Sequence, residues 1–115
     1  MTGLSIISSQ LPGGWQCLAV EGEIDLATVP ELEKAIEEVF NSTSQPLAVD
    51  LRKTSFMDST GLKALVMASR RFDEKDRQFA IAVSGGPVSR LIDLSGVDGS
   101  IRVVDTVDDL ESSSA

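Results

Sequence analysis

Asp58, Ser59, Thr60 and Gly61 follow Phe56 and Met57 in the stretch SFMDSTGL. A carboxylate, two hydroxyls and a glycine in succession suit a helix start, whose first N–H groups lack intrahelical acceptors and whose dipole attracts negative charge. Asp58 as a helix-start acid, and Ser59 or Thr60 as the cap, account for these residues without any further role. The same residues also suit a modification site. A hydroxyl held outside the core at a helix N-terminus is accessible to another protein, and a phosphate on it adds about −1.5 to −2 charges at a dipole end that tolerates anions. Phe56 and Met57 are expected to anchor this loop in the core, and Gly61 to mark a close approach of the backbone to another segment.

Other groups offer less. The chain has no histidine, which removes imidazole acid–base chemistry, the Ser-His-Asp triad and most zinc and haem sites. No metal or cofactor is expected. Cys17, alone in the apolar run WQCLAV, reads as a small buried thiol, with no second cysteine to pair with. Thr60 and Lys63 stand at the T-x-x-K spacing of Ser-Lys hydrolases, but the companion motifs are missing and the chain is far shorter than those enzymes. Two more acids fall where strands are expected to end: Asp25, which also suits a helix start, and Asp50, whose carboxylate is expected either in solvent or bonded to a loop amide.

Eighteen acidic and ten basic side chains give a net charge of −8, the wrong sign for binding nucleic acid or anionic lipid by counterion release. The N-terminal stretch lacks the basic and apolar regions of a signal peptide, and no run reaches the roughly 18 apolar residues of a membrane span. The expectation is a cytoplasmic protein.

The elements that must position the candidate residues follow from periodicity. Apolar runs at Leu4 to Ile7 and Gln16 to Val20, separated by Pro12–Gly13–Gly14, predict strand, turn and strand. Val29, Leu32, Ile36, Val39 and Phe40 predict a helix with Pro30 in its first turn and a Thr28/Glu31 capping box. Pro46 to Leu51 and Gln78 to Val83 read as buried strands. Between them, Leu62, Leu65, Val66, Ser69 and Phe72 form the inner stripe of a helix whose outer side carries Lys63, Met67 and Arg70. A further helix has Pro87 in its first turn, Leu91 and Ile92 facing inward, and Gly96 as its stop. Ile101 to Val104 is the last strand, followed by Thr106 as a cap with Asp109 in the first turn. Residues 112–115 read as a disordered tail.

Strands alternating with helices after an initial strand pair predict one α/β domain over residues 1–111. Its mixed, mostly parallel sheet has about five strands with helices packed against it, and the first strand or two depart from the parallel direction at the edge. At 115 residues the chain suffices for one core.

GEIDLATVPEL, VDLRKTSFMDSTGLKAL and VSRLIDLSGVDGSIRVVDTVDDL together resemble, in order, the STAS domain of bacterial anti-sigma factor antagonists. The D-S-[ST]-G-L segment after an apolar pair is the most specific of these. The resemblance implies a switch protein rather than an enzyme. In that family the unphosphorylated antagonist binds an anti-sigma factor that is also a serine kinase, releasing the sigma factor. Phosphorylation of the serine after the motif aspartate ends the binding, and a PP2C-type phosphatase restores it. Carried over, Ser59 is the phosphate acceptor, with Thr60 the lesser candidate. Asp25, Asp58, Ser59, Thr60, Gly61, Lys63 and Met67 then form the partner surface. Family members commonly continue into a longer final helix, whereas here the chain ends soon after Leu110.

Two other readings compete. Asp50 after a central strand is similar to the acceptor of a receiver-type phosphoprotein, but SIISSQLPGG lacks the acidic pair that fold needs for Mg²⁺. A STAS module outside sigma-factor control, as a phospho-switch or stressosome-like scaffold, would use nearly the same residues. A monomer outside hetero-complexes is expected, since no long exposed apolar stripe is visible.

Overall fold

The computed structural model describes residues 3–110, so the expected tail at 112–115 lies outside the described residues. Two antiparallel strands, β1 (Ser5–Gln10) and β2 (Gln16–Ile24), turn through Gly13 and Gly14, both at positive φ. Then follow α1 (Val29–Ser42), β3 (Leu47–Asp50), β4 (Thr54–Met57), α2 (Ser59–Asp73), β5 (Phe79–Ala82), α3 (Gly86–Ser95) and β6 (Arg102–Val104). The sheet order is β1-β2-β3-β5-β6, parallel throughout except at β1, the edge strand. The α/β class and the mixed sheet are those the periodicity predicts. Among the described residues no helix is long and apolar enough to cross a membrane.

β4 is the strand that the periodicity leaves out. No strand is expected between Leu51 and the helix of Leu62, but Thr54–Met57 pairs in parallel with the end of β2: Gly22 with Thr54, Glu23 with Phe56, Ile24 with Met57. The register shifts between Gly22 and Glu23, and Gly22 sits at φ 122°, a conformation that side chains disfavour. β2 pairs with β3 as far as Ala19 and has β4 as its neighbour from Gly22 onward, so the shift lies within the β2–β4 ladder. Thr54, buried, donates its hydroxyl to the Val20 carbonyl at 2.8 Å and fastens the start of the extra strand.

In parallel register, paired residues share a face. Leu18, Val49 and Ile81 therefore point to one side, where they meet the buried stripes of all three helices in one core. Phe72 of α2 is fully buried there, edge-on to Phe40 and tilted against Phe79, with centroids 5.2 and 5.5 Å away. Ala48 and Ala80 face the other side and are covered by Trp15, with Leu11 and Leu110 packed on them. Cys17 is buried as expected, and burial pushes its thiol pKa up. Thr106 caps a short 3₁₀ turn, Val107–Asp109, accepting from the Asp108 N–H; this turn stands where the last helix was expected to begin.

The expected Thr28/Glu31 capping box does not form. The Asp25 carboxylate accepts the Ala27 and Thr28 N–H groups at 3.0 and 3.1 Å, and the Thr28 hydroxyl turns back to the Glu23 carbonyl at 2.7 Å. Glu31, left without its cap role, accepts the Leu4 N–H at 3.0 Å and ties α1 to the start of β1. The Asp25 carboxylate thus holds the turn that leads into α1, and the N-cap residue Thr28 makes no side-chain bond to the helix.

Candidate functional site

The Ile24–Met57 pairing brings two loops out of the sheet side by side. The Asp58 N–H donates to the Ile24 carbonyl at 3.1 Å, extending the ladder one residue to the point where both chains turn into helices. Asp25 follows Ile24 and Asp58 follows Met57, so the two acids stand at the same end of the fold. This is the carboxyl end of the parallel strands, where helix N-termini converge.

At the second loop, Asp58 is the cap, not Ser59 or Thr60. Its Oδ1 accepts from the Thr60 and Gly61 N–H groups at 2.9 and 3.4 Å and also from the Thr60 hydroxyl. The Thr60 hydroxyl, and then the two amides, hold the Asp58 carboxyl below its ordinary pKa. Thr60 is half-buried and its hydroxyl is engaged. Ser59, the first helical residue, is exposed and its hydroxyl makes no hydrogen bond within the described residues. The two adjacent hydroxyls that the sequence presents as near equals are therefore distinct: one supports the cap and the other is free.

A depressed folded-state pKa means that this cap stabilises the protein above the unfolded carboxyl's pKa of about 4 and is lost as pH falls through the folded value. Asp58→Ala should cost about 0.5–2 kcal/mol in urea unfolding at neutral pH. The gap from wild type should narrow below about pH 4. A gap unchanged in acid would show that the carboxylate is not the source.

Gly61 is buried, and the expected close approach is present. A Cβ there would stand 2.6 Å from both Ile24 Cγ2 and Met57 Cγ. Helix α2 therefore presses against the end of β2 and β4 at the residue that follows the two hydroxyls. From Ser59, steps of four residues give Lys63 and Met67, one outer face of α2, and both are exposed. The inner face buries Ala64, Leu65, Ala68 and Phe72.

Two exposed apolar side chains border the acids. Leu26, next to Asp25, is 74% exposed, and Phe56, two residues before Asp58, is 44% exposed. Phe56 corrects an expectation: the register shift against β2 leaves Ser55 without a partner and breaks the alternation, so that Met57 is buried, Phe56 faces outward, and only Met57 anchors the loop. Period-two reading of Thr54–Met57 would put Phe56 on the face of buried Thr54, so no local signal gives the outcome, which depends on the register shift against β2.

Asp50 does not join this cluster. It accepts the Arg52 N–H at 3.1 Å and is paired with the Arg52 guanidinium at 2.8 Å, so its carboxylate is bonded rather than free in solvent. Burial raises its pKa, but the Arg52 hydrogen bonds outweigh this and hold it below its ordinary value. Arg52 also donates to the Thr106 hydroxyl at 2.9 Å, and the cluster serves to tie the C-terminal segment to the β3–β4 turn. Thr60 and Lys63 form no hydrogen bond with each other among the described residues, and the Thr60 hydroxyl is bonded to Asp58 instead.

Residues 7–110 match the STAS domain. The chain is similar to the anti-sigma-F factor antagonist RsfB of Mycobacterium tuberculosis, 35% identical over 96 residues that cover 84% of this chain and 78% of the relative. It is also similar to the anti-sigma-B factor antagonist of Staphylococcus aureus, 31% identical over 84 residues, 73% of this chain and 78% of the other. The crystal structure of an anti-sigma factor antagonist from Mycobacterium paratuberculosis superposes with a TM-score of 0.82 at 31% identity, over 92% of this chain and 89% of that one. A domain match over nearly the whole chain, joined to relatives and a fold of the same kind, places this protein in the STAS domain family, among relatives that are regulators of sigma-factor control.

Proposed function

We propose that this chain is an anti-sigma factor antagonist acting in the cytoplasm, switched by phosphate at Ser59. Unphosphorylated, it binds an anti-sigma factor that is also a serine kinase, and the sigma factor is released. The kinase transfers the γ-phosphoryl group of ATP: the Ser59 oxygen bonds to phosphorus, the bond to ADP breaks, and the hydroxyl proton passes to a base of the kinase. A PP2C-type phosphatase restores the hydroxyl by hydrolysis and releases inorganic phosphate. This chain is substrate and ligand and supplies no catalytic group.

The observation that carries the reading is the free, exposed Ser59 hydroxyl at the first turn of α2, beside a Thr60 hydroxyl already bound to Asp58. The partner surface comprises Asp25, Asp58, Ser59, Thr60, Lys63 and Met67. Leu26 and Phe56 add the apolar area that an interface core requires. Gly61 serves this surface from below, by letting α2 sit close to the sheet.

Incubation with the cognate kinase and ATP, followed by peptide mass spectrometry, should place one phosphate on Ser59. Ser59→Ala should abolish it and Thr60→Val should retain it. Absence of phosphate, or phosphate on Thr60, overturns the assignment.

A further inference from the structure

Lys63 is a helical cation without an acid beside it. Every other basic residue in α1, α2 and α3 has a carboxylate three or four positions away: Lys34 has Glu31 and Glu38, Arg70 has Asp73, Arg71 has Glu74, and Arg90 has Asp93. Residues at these spacings are neighbours on a helix surface. For Lys63 the four such positions hold Ser59, Thr60, Val66 and Met67, none of them acidic. Its ammonium makes no ion pair among the described residues, in a chain where acids outnumber bases by eighteen to ten.

The acids nearby are engaged elsewhere or stand apart. Asp58 accepts from the Thr60 and Gly61 N–H groups, and Asp25 from those of Ala27 and Thr28. On α1, which packs beside α2, Glu37 is paired with Arg71, and Glu33 lines a groove with Met67 without pairing with Lys63. Of the two hydroxyls within reach, that of Thr60 is bonded to Asp58. That of Ser59 is free, one turn before Lys63 on the same exposed face. The position from which an anion would reach Lys63 is therefore held by an unengaged hydroxyl. The order is also the favourable one, since an anion four residues before a lysine lies on the side of the helix dipole that suits each charge.

Resting on Ser59 as the acceptor, we propose that Lys63 is the counter-ion of the phosphate: its ammonium folds back one turn onto the phosphate oxygens and leaves the partner surface. Phosphorylation then changes two charges on that surface, adding an anion and withdrawing the cation beside it. The flexible stem of lysine and its three donors allow this movement without any shift of the backbone. One ammonium offsets only part of a phosphate's charge of about −1.5 to −2, so the modified loop still meets a partner as a net anion.

The test uses the full chain with phosphoserine genetically encoded at position 59, which needs no kinase. Phosphorus NMR follows the phosphate from monoanion to dianion, and a neighbouring ammonium favours the dianion. Asp58, Asp25 and Glu33 act in the opposite sense and are the same in every variant. Lys63→Met should lower the phosphate's second acid dissociation constant about twofold, the size of one helical ion pair, and Lys63→Arg should restore it. Lys53→Met removes an exposed lysine outside α2 and should leave the constant unchanged at about 0.15 M salt, where charges more than about 8 Å apart are largely screened. A phosphate that titrates alike with and without Lys63, or that responds as much to Lys53→Met, overturns the proposal and leaves the Ser59 assignment standing. A kinase that puts no phosphate on Ser59 would instead overturn that assignment, and with it the use of the pair as a switch.

Discussion

Phosphate on Ser59, or Ser59→Asp in its place, is expected to weaken the complex with the anti-sigma factor about a hundredfold, equivalent to about 2.8 kcal/mol. The effect belongs to the complex and not to the fold. In the free protein the new charge stands at the first residue of α2, facing solvent, beside N–H groups and a dipole end that favour anions. The melting temperature should therefore hold. A partner packed flat on the loop must instead strip water from a near-dianion flanked by Asp58 and close to Asp25, and burying an unpaired charge costs several times what this loss of affinity requires. Titration calorimetry with the anti-sigma factor should show wild type and Ser59→Ala binding alike and Ser59→Asp failing by the stated factor. Equal affinity for Ser59→Asp and Ser59→Ala would remove the switch. A melting temperature lowered by Ser59→Asp would move the effect into the fold.

Gly61→Val should cost at least about 3 kcal/mol of stability, the upper end of what overpacking usually costs. A Cβ alone would lie 2.6 Å from Ile24 Cγ2 and Met57 Cγ, and those side chains cannot retreat, being buried in the core on adjacent strands. The two further methyls of valine deepen the clash. Relief requires α2 to lift from the end of β2 and β4, which breaks the Asp58 N–H bond to Ile24 and displaces Ser59. For a domain of this size the loss corresponds to a fall of about 10–20 °C in melting temperature. Lys63→Val, exposed on the same helix, is the control and should stay within about 0.5 kcal/mol. A Gly61→Val protein that melts with the control would show that the helix is not held at this distance.

The two predictions concern neighbouring residues but draw on different sources of information. Gly61 and Asp58 are intelligible locally: an acid before two hydroxyls and a glycine names a helix start, and the glycine announces close packing. The helical stripes of α1 and α2 and the buried runs of β3 and β5 are equally local, because periods of 3.6 and 2 depend only on the chain's own geometry. Where such signals failed, a partner remote in sequence decided. Four residues of β4 carry too little pattern to declare a strand, and they pair with the end of β2, about thirty residues earlier, through a register shift that skips Ser55. That pairing turned Phe56 out to the surface and Met57 inward.

Sequence alone thus determined the α/β class, the helix that begins at Asp58, the burial of Cys17 and the family to which the DSTGL segment belongs. Each follows from residue type and short-range spacing. The tertiary structure decided which residue caps α2, that α1 has no side-chain cap, and which hydroxyl is free. The Thr28/Glu31 box is absent because the Thr28 hydroxyl bonds to the Glu23 carbonyl and Glu31 accepts from Leu4, just before β1. Thr60 gave up its hydroxyl to Asp58 while Ser59 kept its own. Adjacent hydroxyls look alike in sequence, and only the direction in which the first helical turn points each of them makes one a structural prop and the other an acceptor.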